Sequence, residues 1–400
     1  MLPSATYRAA DFVDAAGKLG AEVVVGSEHR QALSDQMGDR AVVLSLRQPQ
    51  RAAEQIESLN GRTPIDAVVA VDDGGTRAAA VASERLGLRG NPLAAVERAR
   101  DKAAMRTAFA EAGVPQPEFR VANPGDDVAA LAAELGPPVV VKPLTLSMSR
   151  GVIRADDPQQ AAEAAERVRA ILADAGEDRH GPLLVERFVP GAEVAVEGLL
   201  RGGRLEVLAV FDKPDPLDGP YFEETLYVTP SRLPQQAQIE REAARAAQAL
   251  GLREGPVHAE LRVDGDDVVV LELAARSIGG LCSRSLRFGL GMSLEELILR
   301  HALDLPLNGI AREDRAAGVM MLPIPRAGVL REVRGQDAAR AVPGIGGVEI
   351  TVARGRRVRP LPEGDRYLGF TFAKADTPEQ VEAALRAAHA ELDVRIEDEA

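Results

Sequence analysis

His258-Ala259-Glu260-Leu261-Arg262-Val263-Asp264, then Gly265-Asp266-Asp267, then Val268-Val269-Val270-Leu271-Glu272-Leu273-Ala274-Ala275-Arg276: this stretch decides the fold. The first run alternates polar with apolar residues, so His258, Glu260 and Arg262 share one face of a half-buried strand. Asp264-Gly265 turns the chain, and the second run returns as an apolar strand interrupted by Glu272. Pairing Asp264 with Val268 across a three-residue loop sets Glu260 opposite Glu272. A two-residue loop faces Glu260 with Leu271 and turns Glu272 to the other side. A face-to-face pair of acids therefore requires the odd loop or a bulge. Carboxylates in register repel and want a cation between them, and hard oxygen ligands beside a polyphosphate suit Mg²⁺. The bland alternative, two exposed acids on a hairpin, is weakened because Glu272 breaks a buried run. Arg276, ahead of Gly279-Gly280, offers a bidentate fork to a phosphoryl group or carboxylate.

Working upstream, Val139-Val140-Val141-Lys142-Pro143 reads as a buried strand that carries Lys142 out at its end. The loop behind it, 144–151, bears hydroxyls at Ser147 and Ser149 and ends in Gly151, so its backbone N–H groups suit a polyphosphate. A strand ending in Lys-Pro is more often only a strand end, and this loop holds one glycine where phosphate loops usually hold several. In Leu184-Val185-Glu186-Arg187-Phe188-Val189-Pro190-Gly191-Ala192-Glu193, an apolar strand ends in an acid, a hinge follows, and a second acid lies seven residues on. A purine amine and a ribose would find their acceptors there in that order. A strand–turn–strand with solvated acids accounts for the same residues, and both readings stay open on them alone.

The rest of the chain sets the frame. Its 400 residues exceed what one core supports, so two or three domains are expected. Helix and strand alternate through the N-terminal part: a helix at 7–19, strands at 22–25, 41–46 and 67–71, and helices at 50–59 and 78–86 make a parallel α/β unit. Its first strand is nearly missing, with only Leu2 ahead of the Pro3-Ser4 loop; either the sequence begins downstream of its natural start or the edge is frayed. One helix is expected from Asn91-Pro92 to Glu111, and later a helix at 293–303 and a final one at 378–392. The net charge of −13 and the lack of a basic cluster argue against nucleic acid. Apolar runs such as 139–141 and 268–271 are too short to span a bilayer, and no leader pattern is visible, so a cytoplasmic location is expected. The single Cys282 excludes an intrachain disulfide. Only five of the 48 basic residues are lysines (Lys18, Lys102, Lys142, Lys213, Lys374). A lysine retained in so arginine-rich a chain is favoured where a compact, flexible ammonium is needed; Lys18 and Lys374 read as surface residues, and Lys213 is undecided.

Together these pieces resemble the ATP-grasp superfamily over almost the whole chain, most closely the carboxylate–amine ligases that include the bacterial L-amino acid ligases making dipeptides. The resemblance implies an α/β and α+β multidomain protein: an α/β pre-ATP-grasp domain at 1–97, an ATP-grasp domain at 98–306 with a lid at about 115–188, and a β-rich, biotin-carboxylase-like C-terminal domain at 307–400. It implies ATP and Mg²⁺ (or Mn²⁺) as cofactors. Asp101-Lys102 with Met105-Arg106 matches the first ATP lysine, Lys142 the second, and Ser147 to Gly151, with Ser149, the phosphate loop. Glu186, Arg187, Phe188 and Val189 match the adenine hinge and Glu193 the ribose acid. Glu260 and Glu272 match the metal ligands. Arg276 matches the arginine that stabilises an acyl phosphate, and His258 with Gly279 and Gly280 lines the substrate pocket. The segment 368–373 is similar to the C-terminal signature of this branch. Ala274 departs from the pattern, standing where many members carry Asn. The implied activity joins a carboxylate to an amine through an acyl phosphate. A bicarbonate-using carboxylase and a non-catalytic ATP-binding protein are the alternatives. Small-molecule carboxylate and amine partners are expected, with Glu223, Glu224, Asp72 or Asp73 as positional guesses for their contacts, and a homodimer is expected by analogy.

Overall fold

The computed structural model describes residues 1–2, 8–29, 40–307 and 310–398. The Pro3-Ser4 loop and Tyr7, the expected start of the first helix, lie outside them.

The N-terminal unit holds helix α1 (Ala9–Leu19), the parallel strands β1 (Val25–Ser27) and β2 (Ala41–Val43), and helices α2 (Pro49–Asn60) and α3 (Asp73–Leu86). The expected strand at 67–71 reduces to a parallel bridge between Leu2 and Ala70. Leu2 is held on that side by Val69 O and Val71 N, while Met1 O accepts from Gly26 N. These two residues thus stand where the unit's first strand is needed. Helix α3 begins five residues earlier than apolar spacing suggests, because the Asp72 side chain accepts from Gly74 N and caps it. Gly75 is required there: a Cβ would lie 2.3 Å from Leu2 O.

The single helix expected from residue 91 to 111 is two, α4 (Leu93–Arg100) and α5 (Lys102–Glu111). Asp101 leaves the helical region (φ −102°, ψ 113°), and its carboxylate caps α5 by accepting from Ala103 N and Ala104 N. The break makes Lys102 the first residue of a new helix. Next, a four-stranded sheet in the order β3-β6-β4-β5 packs against α6 (Val128–Leu135) and α7 (Pro158–Asp174). Its strands are β3 (Phe119–Ala122), β4 (Val139–Pro143), β5 (Ile153–Ala155) and β6 (Leu183–Arg187).

The platform is an eight-stranded sheet ordered β11-β10-β7-β8-β9-β12-β16-β14. Strands β7 (Ala192–Arg201) and β8 (Arg204–Asp212) form a hairpin over Gly202-Gly203; β9 (Leu226–Thr229), helix α8 (Gln236–Leu250), β10 (Gly255–Asp264) and β11 (Asp267–Ala274) follow. Helix α8 covers one face with Ile239, Ala243, Ala246, Ala247 and Leu250, all at 0% exposure; Ile239 and Leu250 contribute about 2 kcal/mol each by burial. After α9 (Leu294–Ala302), strand β12 (Ala316–Leu322) and later β14 (Ile345–Ile350) and β16 (Gly369–Ala375) extend the same sheet, so it runs across residue 306 without interruption. Beside it, β13 (Gly328–Arg334), β15 (Arg357–Val358) and β17 (Asp393–Glu397) form a small sheet, with α10 (Gln336–Ala341) and α11 (Pro378–Ala390). The final helix ends two residues short of the expected 392, and the chain then pairs as β17.

Candidate active site

The β10–β11 hairpin closes on a two-residue turn, with Asp264 paired to Asp267. By itself that register would hide Glu272. A bulge intervenes: Leu261 pairs with Val270 and Glu260 with Glu272, leaving Leu271 as the extra residue. The two acids are thereby brought opposite each other. The bulge is held in place, because the Leu271 carbonyl accepts from Arg106 Nη2 at 2.6 Å and Val270 N donates to Pro115 O at 2.8 Å. On β10, Ala259, Leu261 and Val263 point into the core under α8, which leaves His258, Glu260 and Arg262 on the opposite face. Strand β7 sets Glu197, Ala195 and Glu193 directly across from those three.

That face lines a cavity of about 1230 Å³, counted out to its open mouth, between the platform and the smaller sheet. The residues matched to nucleotide, metal and substrate roles all line it, as does Glu224, whereas Glu223, Asp72 and Asp73 do not. Lys102 reaches Glu272 at 3.1 Å and the Leu146 carbonyl at 3.0 Å. Lys142 reaches Glu186 at 2.5 Å, and Arg106 holds the other oxygen of that carboxylate. Burial works to raise the Glu186 carboxyl, but Arg106 and then Lys142 outweigh it and hold it below the usual range. Burial pushes the Lys142 ammonium down, and Glu186 restores part of that loss. The Ser147–Gly151 loop compensates for its scarcity of glycine by placing Met148 (φ 60°) and Ser149 (φ 54°) in the left-handed region, as well as Gly151.

The hinge departs from expectation in two places. Arg187 turns its guanidinium away, onto the Leu135 carbonyl and Glu118, so its backbone is what it offers the cavity. Glu193, expected to accept ribose hydroxyls, is 8% exposed with both oxygens engaged, by Lys213 at 2.7 Å and Arg262 at 3.0 Å. Phe188 N is used by Pro138 O, whereas Val189 N has no acceptor among the described residues. A purine edge would find its donor at Val189.

Lys213, left undecided by sequence, sits among three acids. Besides Glu193 it contacts Glu224 and lies 3.6 Å from Glu260. Burial alone would raise Glu260; Lys213, then the imidazole of His258 at 3.6 Å, reverse this and hold it well below the ordinary carboxylate range. Glu224 goes the other way, pushed up to about 7 by burial, with Glu260 and Glu193 adding to it against Lys213. Among the described residues, Glu193, Glu224 and Glu260 form the one group of three whose ligand atoms lie within 4.8 Å of one another. Hard oxygen donors of this kind suit a divalent cation; here Lys213 sits among the three, and Glu272 stands opposite Glu260 in the ladder.

His258 is fixed by Glu197, which is 0% exposed: Nδ1 lies 3.2 Å from Glu197 Oε2, and the same oxygen accepts from Ile278 N at 2.9 Å. Burial works to lower the imidazole, but the hydrogen bond to Glu197 and the nearby Glu260 carboxylate at 3.6 Å raise it above its ordinary value. Arg276 donates from Nε to Asp73 at 3.0 Å and from Nη1 to the Ser277 carbonyl at 3.1 Å. Gly280 adopts φ +60°, and a Cβ there would come within 2.7 Å of the Phe370 ring. Asp72 is spent on capping α3, and Asp73 reaches the site through Arg276. The cavity also meets Cys282, Met321 and Tyr367, which motif reasoning did not single out.

Family models match three consecutive parts of the chain: ATP-grasp N-terminal domain over 13–90, ATP-grasp domain over 135–285, and L-amino acid ligase C-terminal domain 2 over 320–397. The chain is 30% identical to alanine–anticapsin ligase of Bacillus subtilis (strain 168) over 55% of its own length and 50% of that protein. It thus spans about half the length of the ligases of that name. With D-alanine–D-alanine ligase of Desulforudis audaxviator it shares 33% identity over 52% of this chain and 69% of that one. The crystal structure of an L-amino acid ligase from Bacillus licheniformis superposes with a TM-score of 0.80 at 26% identity, covering 99% of this chain and 98% of the other. On this fold, this cavity and these relatives, the chain belongs to the ATP-grasp family of carboxylate–amine ligases.

Proposed function

We propose that this protein is an ADP-forming ligase that activates a small carboxylate, an amino acid by analogy with its relatives, as an acyl phosphate and transfers the acyl group to an amine. The observation that carries the reading is the bulge-enforced opposition of Glu260 and Glu272, with Lys102, Lys142 and Arg276 around one cavity. The residues divide into an ATP-grasp unit at 98–306 with a lid at about 115–188, flanked by units at 1–97 and 307–400. ATP would lie between the lid and the platform, its adenine at Val189 and its phosphates toward Lys102, Lys142 and the Ser147–Ser149 loop. Glu260 and Glu272 would hold Mg²⁺, which supplies neutralisation of phosphate charge.

In the first step a substrate carboxylate oxygen attacks the γ-phosphorus; an O–P bond forms, the bond to the β-phosphate oxygen breaks, and ADP leaves. The two lysines and Arg276 stabilise the charge that develops on the transferring group, where fixed cations contribute most. In the second step an amine attacks the acyl carbon, the C–N bond forms, phosphate leaves and the amine loses a proton. Exclusion of water protects the acyl phosphate. Two contacts support a lid that closes in this way: Gly151 N donates to Pro362 O at 3.0 Å, and Arg167 meets Glu363 at 2.7 Å.

Phosphate and ADP release from Mg·ATP, scanned over pooled amino acids and other small carboxylates with and without bicarbonate, tests the proposal. Release that needs an amino acid or carboxylate and disappears in Glu272→Ala supports it. A requirement for bicarbonate alone replaces it with a carboxylase, and ATP binding without release across the panel overturns it.

A further inference from the structure

The loop 276–280 carries Arg276, yet nothing in its own sequence, Arg-Ser-Ile-Gly-Gly, makes it rigid. Besides Glu197, which accepts from Ile278 N, the side chains that hold it come from the N-terminal unit. Arg8, 1% exposed at the start of α1, donates from Nη1 to Ser277 Oγ at 3.0 Å and to the Ile278 carbonyl at 2.6 Å, and from Nη2 to Glu295 at 3.0 Å. One buried guanidinium therefore grips the loop backbone and anchors it to α9. Asp73, in the first turn of α3, accepts from Arg276 Nε at 3.0 Å. Burial opposes its ionisation, but Arg276 and then the neighbouring Arg100 and Lys102 outweigh it and hold the carboxyl below its ordinary value, and its place at a helix N-terminus acts in the same direction.

We infer that the N-terminal unit is a working part of the active site, with Asp73 and Arg8 acting as positioning residues for Arg276. The inference rests on the ligase reading above. Asp73 fixes the guanidinium plane from its Nε edge, and the Ser277 carbonyl takes Nη1. Arg276 lines the cavity, and its Nη2 is left without a protein acceptor among the described residues. A guanidinium held at one edge presents the other in one orientation, which is the condition for stabilising a transition state rather than merely binding an anion. Arg8 does the same for the main chain on which Arg276 is mounted. Neither residue needs to touch substrate.

Two measurements test this, the first independent of any activity. In protein labelled with ¹⁵N-arginine, the Arg276 Nε–H signal is identified by its absence from Arg276→Lys. It should exchange slowly with solvent in the wild type and rapidly in Asp73→Asn. Equal exchange in both would overturn the inference whatever the enzyme does. The second is a double-mutant cycle on substrate-dependent phosphate release. Asp73→Asn should lower kcat about tenfold or more with the KM for ATP little changed, the scale of loss that a misplaced catalytic group causes. In an Arg276→Ala background the same change should do nothing further. Losses that multiply undisturbed in that background would assign Asp73 to some other role. Arg8→Lys, which keeps the charge but not the fork, should reproduce the kcat effect without lowering the melting temperature as Arg8→Ala does; unchanged kcat in Arg8→Lys removes Arg8 from the proposal. Absence of substrate-dependent release in the wild type counts against the ligase reading instead, and the exchange measurement still decides whether the pair exists.

Discussion

Replacing Glu186 by Gln should destabilise the protein far more than loss of a surface acid. The Glu186 side chain is 4% exposed and serves two cations that are themselves buried, Arg106 at 1% and Lys142 at 9%. Gln keeps one oxygen, which can still accept from Arg106, but its NH₂ then faces the Lys142 ammonium, donor against donor. Removing one partner of a buried ion pair costs about 3–5 kcal/mol. Part of that is recovered as Lys142 sheds a proton, since burial already pushes its ammonium down and Glu186 is what holds it up. For a unit of about 200 residues the remainder corresponds to a fall in melting temperature on the order of 10 °C. Thermal unfolding followed by far-UV circular dichroism at pH 7, in the absence of nucleotide, measures it directly. A non-hydrolysable ATP analogue with Mg²⁺ should raise the variant's melting temperature more than the wild type's, because the phosphates supply the missing counter-charge. A fall of less than 2–3 °C (roughly 1 kcal/mol by the same scaling), or an equal rise with nucleotide in both proteins, would refute the idea that this carboxylate balances both cations.

Two further outcomes follow from the same charges and from the loop. The folded protein holds Glu224 at about 7, above its ordinary 4.5, so folding favours its protonated form. The stability this contributes is fully present below pH 4.5 and is lost as pH rises through 7. Urea unfolding of the apoprotein at pH 5 and pH 8 should show a steeper loss in the wild type than in Glu224→Gln, and parallel losses would disprove the shift. In the Ser147–Gly151 loop, Met148 is 41% exposed at φ 60°. Met148→Gly relieves a left-handed conformation worth about 1–2 kcal/mol at the cost of about 0.5–1 kcal/mol in unfolded-chain entropy. A small gain in urea midpoint is expected, and a clear loss would mean that thioether contacts, not backbone geometry, maintain the turn.

Much of this was legible along the chain because the fold's chemistry is written in strand alternation. His258, Glu260 and Arg262 fall on one face by period alone, and Ala259, Leu261 and Val263 on the other. The register between Glu260 and Glu272 was not legible, since it depends on one extra residue, Leu271, whose accommodation requires Arg106 from a helix 165 positions away. The break at Asp101 had a local signal, an Asp followed by good helix formers. It was outweighed by the continuous helical pattern on either side, although the break is what gives Lys102 its place. Lys213 carried only a compositional hint, scarcity of lysine, because the acids that surround it come from residues 193, 224 and 260. Arg8 and Glu197 carried no hint at all. A buried arginine whose partners lie 269 to 287 residues on looks, in sequence, like any surface arginine.

Before any substrate arrives, each lysine and arginine lining the cavity already has a carboxylate: Lys102 has Glu272, Lys142 has Glu186, Arg187 has Glu118, Arg262 has Glu193, and Arg276 has Asp73. Binding a polyphosphate here is therefore an exchange of partners rather than the filling of a positive hole. The arrangement avoids leaving buried charges uncompensated in the empty protein, and it limits the affinity for any one anion. It also couples two ligands. Lys102 cannot move toward a phosphate without releasing Glu272, and a released Glu272, facing Glu260 across the bulge, is a pair of acids in want of a cation. On the function proposed above, nucleotide and divalent cation would favour each other's binding through one lysine and one glutamate. By linkage, whichever affinity is measured should rise by the same factor when the other ligand is present.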